Sequence, residues 1–158
     1  MVKILFVCHG NICRSPMAEF VMKDLVKKAG LENQFRIESA ATSTEELGNP
    51  VYPPARRKLA EHGIDCTGKT ARRLTGSDYG KYDLLIGMDR ANLRNMQRIC
   101  GGDPEGKIQL LLAYADRPGD EVADPWYTGD FETTWRDVLA GCRGLLEACK
   151  ENMGLGAL

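Results

Sequence analysis

The stretch ILFVCHGNICRSPMAE, residues 4–19, indicates how this chain folds. It overlaps the segment Val2 to Val7, whose β-branched and aliphatic residues are typical of a β-strand buried on both faces. From Pro16 onward, apolar residues recur at the spacing of one helix face. These residues are Met17, Phe20, Val21, Leu25 and Val26. The stretch therefore predicts a strand, a tight loop and a helix, with Cys8 directly after the strand.

The same alternation continues through the chain. Three further strands are predicted at Gln34 to Ala40, Tyr82 to Met88 and Lys107 to Leu112. Helices are predicted at Pro53 to His62, Arg90 to Cys100 and Phe131 to Glu151. Strands that alternate with helices predict an α/β fold with a parallel sheet covered by helices on both faces. Such a sheet binds ligands beyond the carboxyl ends of its strands, where Cys8 is placed. Two long polar segments, Thr42 to Tyr52 and Asp116 to Gly129, are predicted to be loops.

Length and composition describe an ordinary globular protein. The chain has 158 residues, 43% hydrophobic and 27% charged, with a net charge of -1, so we expect one domain over 1–158 and no nucleic-acid partner. The apolar run Ile4 to Val7 is too short for a signal-peptide core or a membrane span, so we expect a cytoplasmic protein without membrane contact. We also expect reduced cysteines and no metal site, because no cysteine pair has zinc-finger spacing.

The loop after the first strand has the features of a phosphate-binding loop. A loop between a strand and a helix directs several backbone N–H groups into one concavity, and the helix N-terminus adds positive potential. Gly10 has no side chain to block a ligand, and Asn11 tolerates a left-handed backbone. Pro16 suits the first helical position because it has no N–H to lose, and Arg14 can hold two phosphate oxygens. We therefore expect inorganic phosphate or another oxyanion to bind here.

The same positive potential would stabilise a thiolate at Cys8 and make it a nucleophile. The hydroxyl of Ser15 can donate to that sulfur. Cleavage of a phosphate ester also needs an acid for the leaving oxygen, and Asp124 in VADPWYTGD, residues 122–130, is the candidate. Trp126 and Tyr127, which follow it, can form the walls of a slot for an aromatic substrate. A separate aspartate, Asp89, is predicted to cap the helix that follows the third strand or to act electrostatically on the site.

These motifs together resemble the low-molecular-weight protein tyrosine phosphatases. The resemblance covers essentially the whole chain, and it rests on CHGNICRS followed by PMAE, with DPWY late in the sequence. It implies a three-layer sandwich with a four-stranded parallel sheet, and it implies that no cofactor is needed. It also implies the site residues. Cys8 matches the family nucleophile, Arg14 the phosphate-binding arginine, Asp124 the general acid, and Asn11, Ser15 and Ser39 the hydrogen-bond network that supports the loop, which spans His9, Gly10, Asn11, Ile12, Cys13 and Arg14.

The resemblance further implies redox sensitivity and a substrate. Cys13 matches a second loop cysteine that can form a reversible disulfide with Cys8, which would protect the nucleophile from irreversible oxidation. Ile12 matches an apolar residue of tyrosine-directed members, whereas related arginine phosphatases tend to carry threonine there. The chain departs from many relatives at Glu45 and Glu46, where an aromatic residue is common at the pocket rim. We expect these carboxylates to disfavour strongly acidic phosphopeptides.

The leading hypothesis is a phosphatase that acts on phosphotyrosine proteins and small aryl phosphates through a phosphocysteine, as a monomer or weak dimer. Three alternatives stay open: a phosphoarginine phosphatase, an arsenate reductase-like thiol enzyme, and a non-catalytic phosphate-binding or phosphocysteine carrier module. Arsenate reduction would need a relay of downstream cysteines, of which Cys66 is the nearest. A carrier would not need an acid such as Asp124 opposite the nucleophile.

Overall fold

The computed structural model describes residues 1–154, so positions 155–158 of the predicted domain lie outside the described residues. The strands are β1 (Val2–Cys8), β2 (Phe35–Ala41), β3 (Leu84–Gly87) and β4 (Ile108–Leu110). The α-helices are α1 (Arg14–Lys28), α2 (Pro53–Glu61), α3 (Asp78–Lys81), α4 (Arg90–Cys100), α5 (Pro125–Thr128) and α6 (Phe131–Asn152). Short 3₁₀ helices occupy Glu32–Gln34 and Leu111–Ala115.

The four strands form one parallel sheet in the order β2-β1-β3-β4, which confirms the predicted fold class. Strand β1 is an inner strand, and Ile4 to Val7 are fully buried because helices cover both faces of the sheet. Ile4 and Phe6 pack in a core with residues of α1 and α6, whereas Leu5 and Val7 pack on the other face with Met96 of α4. The result is a three-layer sandwich with Cys8 at the carboxyl end of an inner strand.

Some predicted boundaries were wrong. Strand β4 ends at Leu110 instead of Leu112, because Leu111 and Leu112 are both buried in the same core cluster. Consecutive strand residues point to opposite faces, so a 3₁₀ turn is needed to bury both side chains on one face. The segment Asp116 to Gly129 is not loop throughout, since it contains α5.

Helix α1 begins at Arg14 and not at Pro16, because the first helical hydrogen bond runs from the N–H of Met17 to the carbonyl of Cys13. Pro16 thus lies within the first turn, where the missing N–H still does no harm. Within residues 1–154, no helix has both the length and the apolar character that a membrane crossing requires.

The contact between α6 and the 3₁₀ helix that follows β4 depends on a glycine. A Cβ atom placed on Gly144 would overlap the backbone carbonyl of Tyr114, whereas one placed on Gly80 in α3 would meet nothing within 4 Å. We therefore expect Gly144→Ala to lower the free energy of unfolding by roughly 1–3 kcal/mol, as overpacking typically does. Gly80→Ala is the matched control and should be neutral or slightly stabilising. Urea denaturation measures both variants, and equal stability of the two would contradict this packing.

Candidate active site

The sulfur of Cys8 lies at the end of β1 and is surrounded by hydrogen-bond donors. The Ser15 hydroxyl oxygen is 3.0 Å from the Cys8 sulfur, and the backbone N–H of Asn11 donates to the same sulfur over 3.3 Å. Asn11 has a φ of 59°, in the left-handed region that the sequence predicted for this loop. This turn is what points the Asn11 N–H back toward the sulfur.

The segment between β2 and α2 holds the loop from outside. The N–H of Thr42 donates to the carbonyl of Cys8, and the N–H of Ser43 donates to the carbonyl of His9. The N–H of Tyr52 donates to the carbonyl of Ile12. The segment after β2 therefore wraps the loop and satisfies its outward-facing carbonyls, which leaves the inward-facing N–H groups available to a ligand.

The side chain of Asn11 holds the loop from below. Its Oδ1 accepts from the N–H of Arg72 over 3.2 Å, and its Nδ2 donates to the hydroxyls of Ser15 and Ser39 over 2.8 and 2.9 Å. The predicted supporting residues are thus in direct contact. Neither Asn11 nor the two serines lines the pocket, so they act from beneath the loop.

The network continues to a buried carboxylate that the sequence analysis did not single out. The Ser39 hydroxyl donates to Glu19 Oε1 over 2.5 Å. Two ammonium groups contact the same carboxylate: Lys69 Nζ lies 3.3 Å from Oε1, and Lys23 Nζ lies 2.6 Å from Oε2. In the sequence, the only signal for this site was a glutamate placed between the apolar residues Ala18 and Phe20. Its partner Lys69 could not be found that way, because it comes from a loop distant in sequence.

Arg14 is the buried cation of the site, with an exposed fraction of 2%. Its NH1 donates to Asp89 Oδ2 over 2.8 Å and to the carbonyl of Val122 over 2.9 Å. Burial lowers the pKa of Arg14, but the thiolate of Cys8 and the bond to Asp89 raise it more, so the net pKa is raised. Arg14 therefore stays charged while it connects three segments.

Asp89 has both of the functions considered for it. Its Oδ1 accepts from the N–H of Asn92 over 2.7 Å and caps α4, and its Oδ2 holds Arg14.

Asp124 enters the site from the loop before α5. Its Oδ1 caps that helix by accepting from the N–H of Trp126 over 3.0 Å. Its Oδ2 lies 3.5 Å from Arg14 NH2, within the pocket that also contains Cys8. The cap aims one carboxylate oxygen at the helix and leaves the other facing the cation. A cysteine sulfur, a guanidinium cation and a carboxyl group thus share one pocket.

The pocket wall combines apolar and acidic side chains. Trp126 and Tyr127 are exposed by 51% and 83%, and the ring of Trp126 lies 4.8 Å from that of Tyr52. Glu45 Oε2 lies 2.9 Å from His9 Nε2, and Glu46 accepts from Asn49 Nδ2 over 2.6 Å. The full lining comprises Cys8, His9, Gly10, Ile12, Cys13, Arg14, Glu45, Glu46, Asp124, Trp126 and Tyr127. Every predicted loop and slot residue except Asn11 therefore lines this pocket.

The family follows from comparison with known proteins. A family model described as low molecular weight phosphotyrosine protein phosphatase matches residues 3–155. The chain belongs to this family. The low molecular weight protein-tyrosine-phosphatase YfkJ of Bacillus subtilis is 36% identical over 156 residues, 98% of this chain and 100% of that protein. The low molecular weight phosphotyrosine protein phosphatase of Gallus gallus is 41% identical over 148 residues, 91% and 93% of the two chains.

Solved structures of the phosphatase family have the same fold. The crystal structure of YfkJ superposes with a TM-score of 0.93 and covers 96% of each chain. That of the low molecular weight protein tyrosine phosphatase from Streptococcus pyogenes, 41% identical, superposes with a TM-score of 0.82 and covers 94% of this chain and 93% of that one. The fold inferred from the strand pattern is therefore the fold of the phosphatase family.

Cys13, the second cysteine of the phosphatase loop, is buried but lines the pocket together with Cys8. Burial, followed by the nearby Cys8 charge, raises the pKa of Cys13 to about 12, so Cys13 is a neutral thiol at physiological pH. It is a free cysteine here, and its role as a resolving thiol stays a prediction. Among residues 1–154, no group of three His, Cys, Asp or Glu side chains is arranged to hold a metal ion.

The bond between Asp89 and Arg14 can be tested apart from the helix cap. Asp89→Asn should keep the cap, since an amide oxygen also accepts from the helix N–H, but it removes the negative charge beside Arg14. We expect the affinity for inorganic phosphate to fall about tenfold, because the substitution removes one charge-assisted hydrogen bond that orients the Arg14 guanidinium.

Titration calorimetry with phosphate measures this effect. The matched control is Asp130→Asn, because Asp130 also caps a helix, α6, through the N–H of Thr133, but it is exposed. Equal phosphate affinity of the Asp89→Asn variant and the unmodified protein would contradict the positioning of Arg14 by Asp89.

Proposed function

We propose that this protein is a protein tyrosine phosphatase that hydrolyses phosphotyrosine through a phosphocysteine on Cys8. The observation that carries the proposal is the pocket in which the Cys8 sulfur, the Arg14 guanidinium and the Asp124 carboxyl group lie together. Membership of the phosphatase family supports it. Phosphoprotein substrates and phosphate binding follow from the same membership. The cytoplasmic location and the monomeric or weakly dimeric state stay predictions.

In the first step, the phosphate oxygens of the substrate lie against the N–H groups of the loop and the free edge of Arg14. The Cys8 thiolate attacks phosphorus, an S–P bond forms, and the bond to the tyrosine oxygen breaks. Asp124, in its acid form, donates a proton to that leaving oxygen. Oriented N–H groups and a buried cation stabilise the charge that collects on the phosphoryl oxygens in the transition state.

In the second step, a water molecule attacks the phosphocysteine. Asp124, now a carboxylate, accepts a proton from the water, and the S–P bond breaks to release inorganic phosphate and the thiolate. The Ser15 hydroxyl and the Asn11 N–H, at 3.0 and 3.3 Å from the sulfur, stabilise the departing thiolate by hydrogen bonding. One carboxyl group therefore serves as acid and then as base.

The pocket lining favours an aromatic phosphate ester. Ile12, within the loop, contributes an apolar surface to the pocket, and Trp126 and Tyr127 contribute aromatic surface to the pocket wall. A phenyl ring gains more than a guanidinium group from such walls, because it has no polar atoms to desolvate. Phosphoarginine is nevertheless the substrate to compare, since a structure titled arginine phosphatase from Drosophila is 29% identical with a TM-score of 0.86.

Two variants test the assigned roles. The unmodified protein should hydrolyse para-nitrophenyl phosphate without added metal, and Cys8→Ser should abolish turnover because the attacking sulfur is gone. Asp124→Ala should slow turnover by roughly 10² to 10⁴ for esters with poor leaving groups, and much less for good ones that need no proton.

Steady-state kinetics on phenyl phosphates of graded leaving-group acidity measure this difference. Turnover by the Cys8→Ser variant would overturn the phosphocysteine. Equal losses on good and poor leaving groups would overturn the acid role of Asp124. Faster hydrolysis of phosphoarginine than of phosphotyrosine would replace the substrate assignment.

The carboxylates at the rim should shape peptide preference. Glu45, tied to His9, and Glu46, tied to Asn49, place negative charge where residues flanking the phosphotyrosine would lie. Exposed charge pairs contribute about 0.2–1 kcal/mol, so Glu45→Gln with Glu46→Gln should raise kcat/KM on acidic phosphopeptides by roughly 1.4-fold to 5-fold. The gain should shrink in high salt.

The comparison uses phosphopeptides whose flanking residues are either acidic or neutral. Glu151→Gln is the matched control, because Glu151 is an exposed glutamate near the end of α6. Unchanged kcat/KM on the acidic peptides would remove the role of the rim carboxylates.

A further inference from the structure

Glu19 is a buried carboxylate that takes no part in the proposed phosphatase steps. It lies on α1 with an exposed fraction of 3%, and it does not line the active-site pocket. A buried charge is strongly unfavourable unless it is paired and hydrogen-bonded. Lys69 and Lys23 supply the pairing, and the Ser39 hydroxyl supplies the hydrogen bond. Such an arrangement, built next to the active-site loop, calls for a functional reason.

The hydrogen-bond directions between Glu19 and the nucleophile are determined by chemistry. Asn11 Oδ1 accepts from the N–H of Arg72, so the amide must present its NH₂ group to the two serines. Each serine hydroxyl then accepts one N–H from Asn11, and its own hydrogen is free to be donated elsewhere.

The two free hydroxyl hydrogens point to two anions. Ser39 donates to Glu19, which as a carboxylate can only accept. Ser15 donates to the Cys8 sulfur, which as a thiolate also accepts. Asn11 therefore donates to both serines, one of which contacts the Glu19 carboxylate and the other the Cys8 sulfur.

We propose that Glu19, held by Lys69, is a positioning residue that orients the Ser39, Asn11 and Ser15 donors toward the Cys8 sulfur. This inference rests on the proposed phosphatase function only in assuming that the Cys8 thiolate is the attacking group. The chain of hydrogen bonds itself does not depend on the substrate. Lys69 also donates to the backbone carbonyl of Ser39 over 2.9 Å, so it fixes both the carboxylate and the strand that carries the serine.

Charged and titratable groups from several elements face the Glu19 side chain. Lys69 and Lys23 face it, and the buried thiol of Cys66 lies within reach of its charge. Burial lowers the pKa of Lys69, and the charge of Glu19 partly opposes that change. The positive charge of Arg72 also lowers the pKa of Lys69, although Arg72 is itself paired with Asp78.

Around Cys8, the charged and titratable groups are those of the pocket. Arg14 is the nearby cation, and the other titratable side chains that line the pocket are those of His9, Cys13, Glu45, Glu46, Asp124 and Tyr127.

Replacing Glu19 by glutamine distinguishes two effects of Glu19 on the Cys8 sulfur: orientation of its hydrogen-bond donors, and electrostatic repulsion through space. The glutamine amide can donate to Ser39, and this lets the serine hydroxyl turn away and loosens the orientation of Asn11. Loss of a donor to the sulfur destabilises the thiolate, so its formation should move to higher pH. Removal of a negative charge acting only through space has the opposite sign, because it would stabilise the thiolate and move its formation to lower pH.

The experiment measures the rate of Cys8 alkylation by iodoacetamide, a neutral reagent, as a function of pH, with the modified peptide identified by mass spectrometry. For Glu19→Gln we expect the midpoint to rise by roughly 0.4 to 1 pH unit, which corresponds to about one hydrogen bond. Ser39→Ala breaks the same chain while it keeps Glu19 and should shift the midpoint in the same direction. If the Glu19→Gln variant does not fold, the Ser39→Ala variant alone provides the test.

The matched control is Asp24→Asn, since Asp24 is a carboxylate on the same helix whose ion pair with Lys28 lies outside the chain of donors. It should leave the midpoint unchanged. A midpoint that stays constant or falls in Glu19→Gln, or in Ser39→Ala, would overturn the positioning role.

Hydrolysis of para-nitrophenyl phosphate is recorded in parallel. If the unmodified protein does not hydrolyse it, the proposed function fails, but the alkylation profile still decides the role of Glu19.

Discussion

The partly buried ion pair between Arg14 and Asp89 connects the parts of this active site. Arg14 belongs to the first turn of α1, Asp89 begins α4, and the carbonyl of Val122 that Arg14 also binds precedes the loop with Asp124. The guanidinium has a rigid planar geometry, so it fixes the relative positions of these segments more narrowly than a lysine would. Arg14 thereby links the loop that follows Cys8 to the segment that carries Asp124.

A second constraint is the polar cluster beneath the loop. A left-handed asparagine, two serines and a buried carboxylate occupy space that elsewhere in the sandwich is filled by aliphatic side chains. Such a cluster is stable only if every donor and acceptor is satisfied, because unsatisfied polar groups are expensive at low dielectric. Here each hydrogen of the Asn11 amide has an acceptor and its oxygen has a donor. The loop is consequently held rigid before any ligand binds.

Much of the fold was predictable because its signals are local. The inner strand is an apolar run, the helices have regular apolar spacing, and a parallel sheet follows from their alternation. The end of β4 was not predictable, since Leu111 and Leu112 are equally apolar in a strand or a turn. The short helix α5 was also missed, because Asp124 and Pro125 are equally compatible with an ordinary turn opening and with a helix cap.

The sequence by itself determined the order of chemistry in the loop: a sulfur after a buried strand, small and left-handed residues, then an arginine and a serine at the start of a helix. These features are local, so adjacency in the chain ensures adjacency in space. Only the tertiary structure decided which distant groups meet them. Asp124, Asp89, Ser39 and Lys69 come from separate segments far from the loop in sequence. They meet because the parallel strands end at one edge of the sheet and because buried charges must find partners across the core.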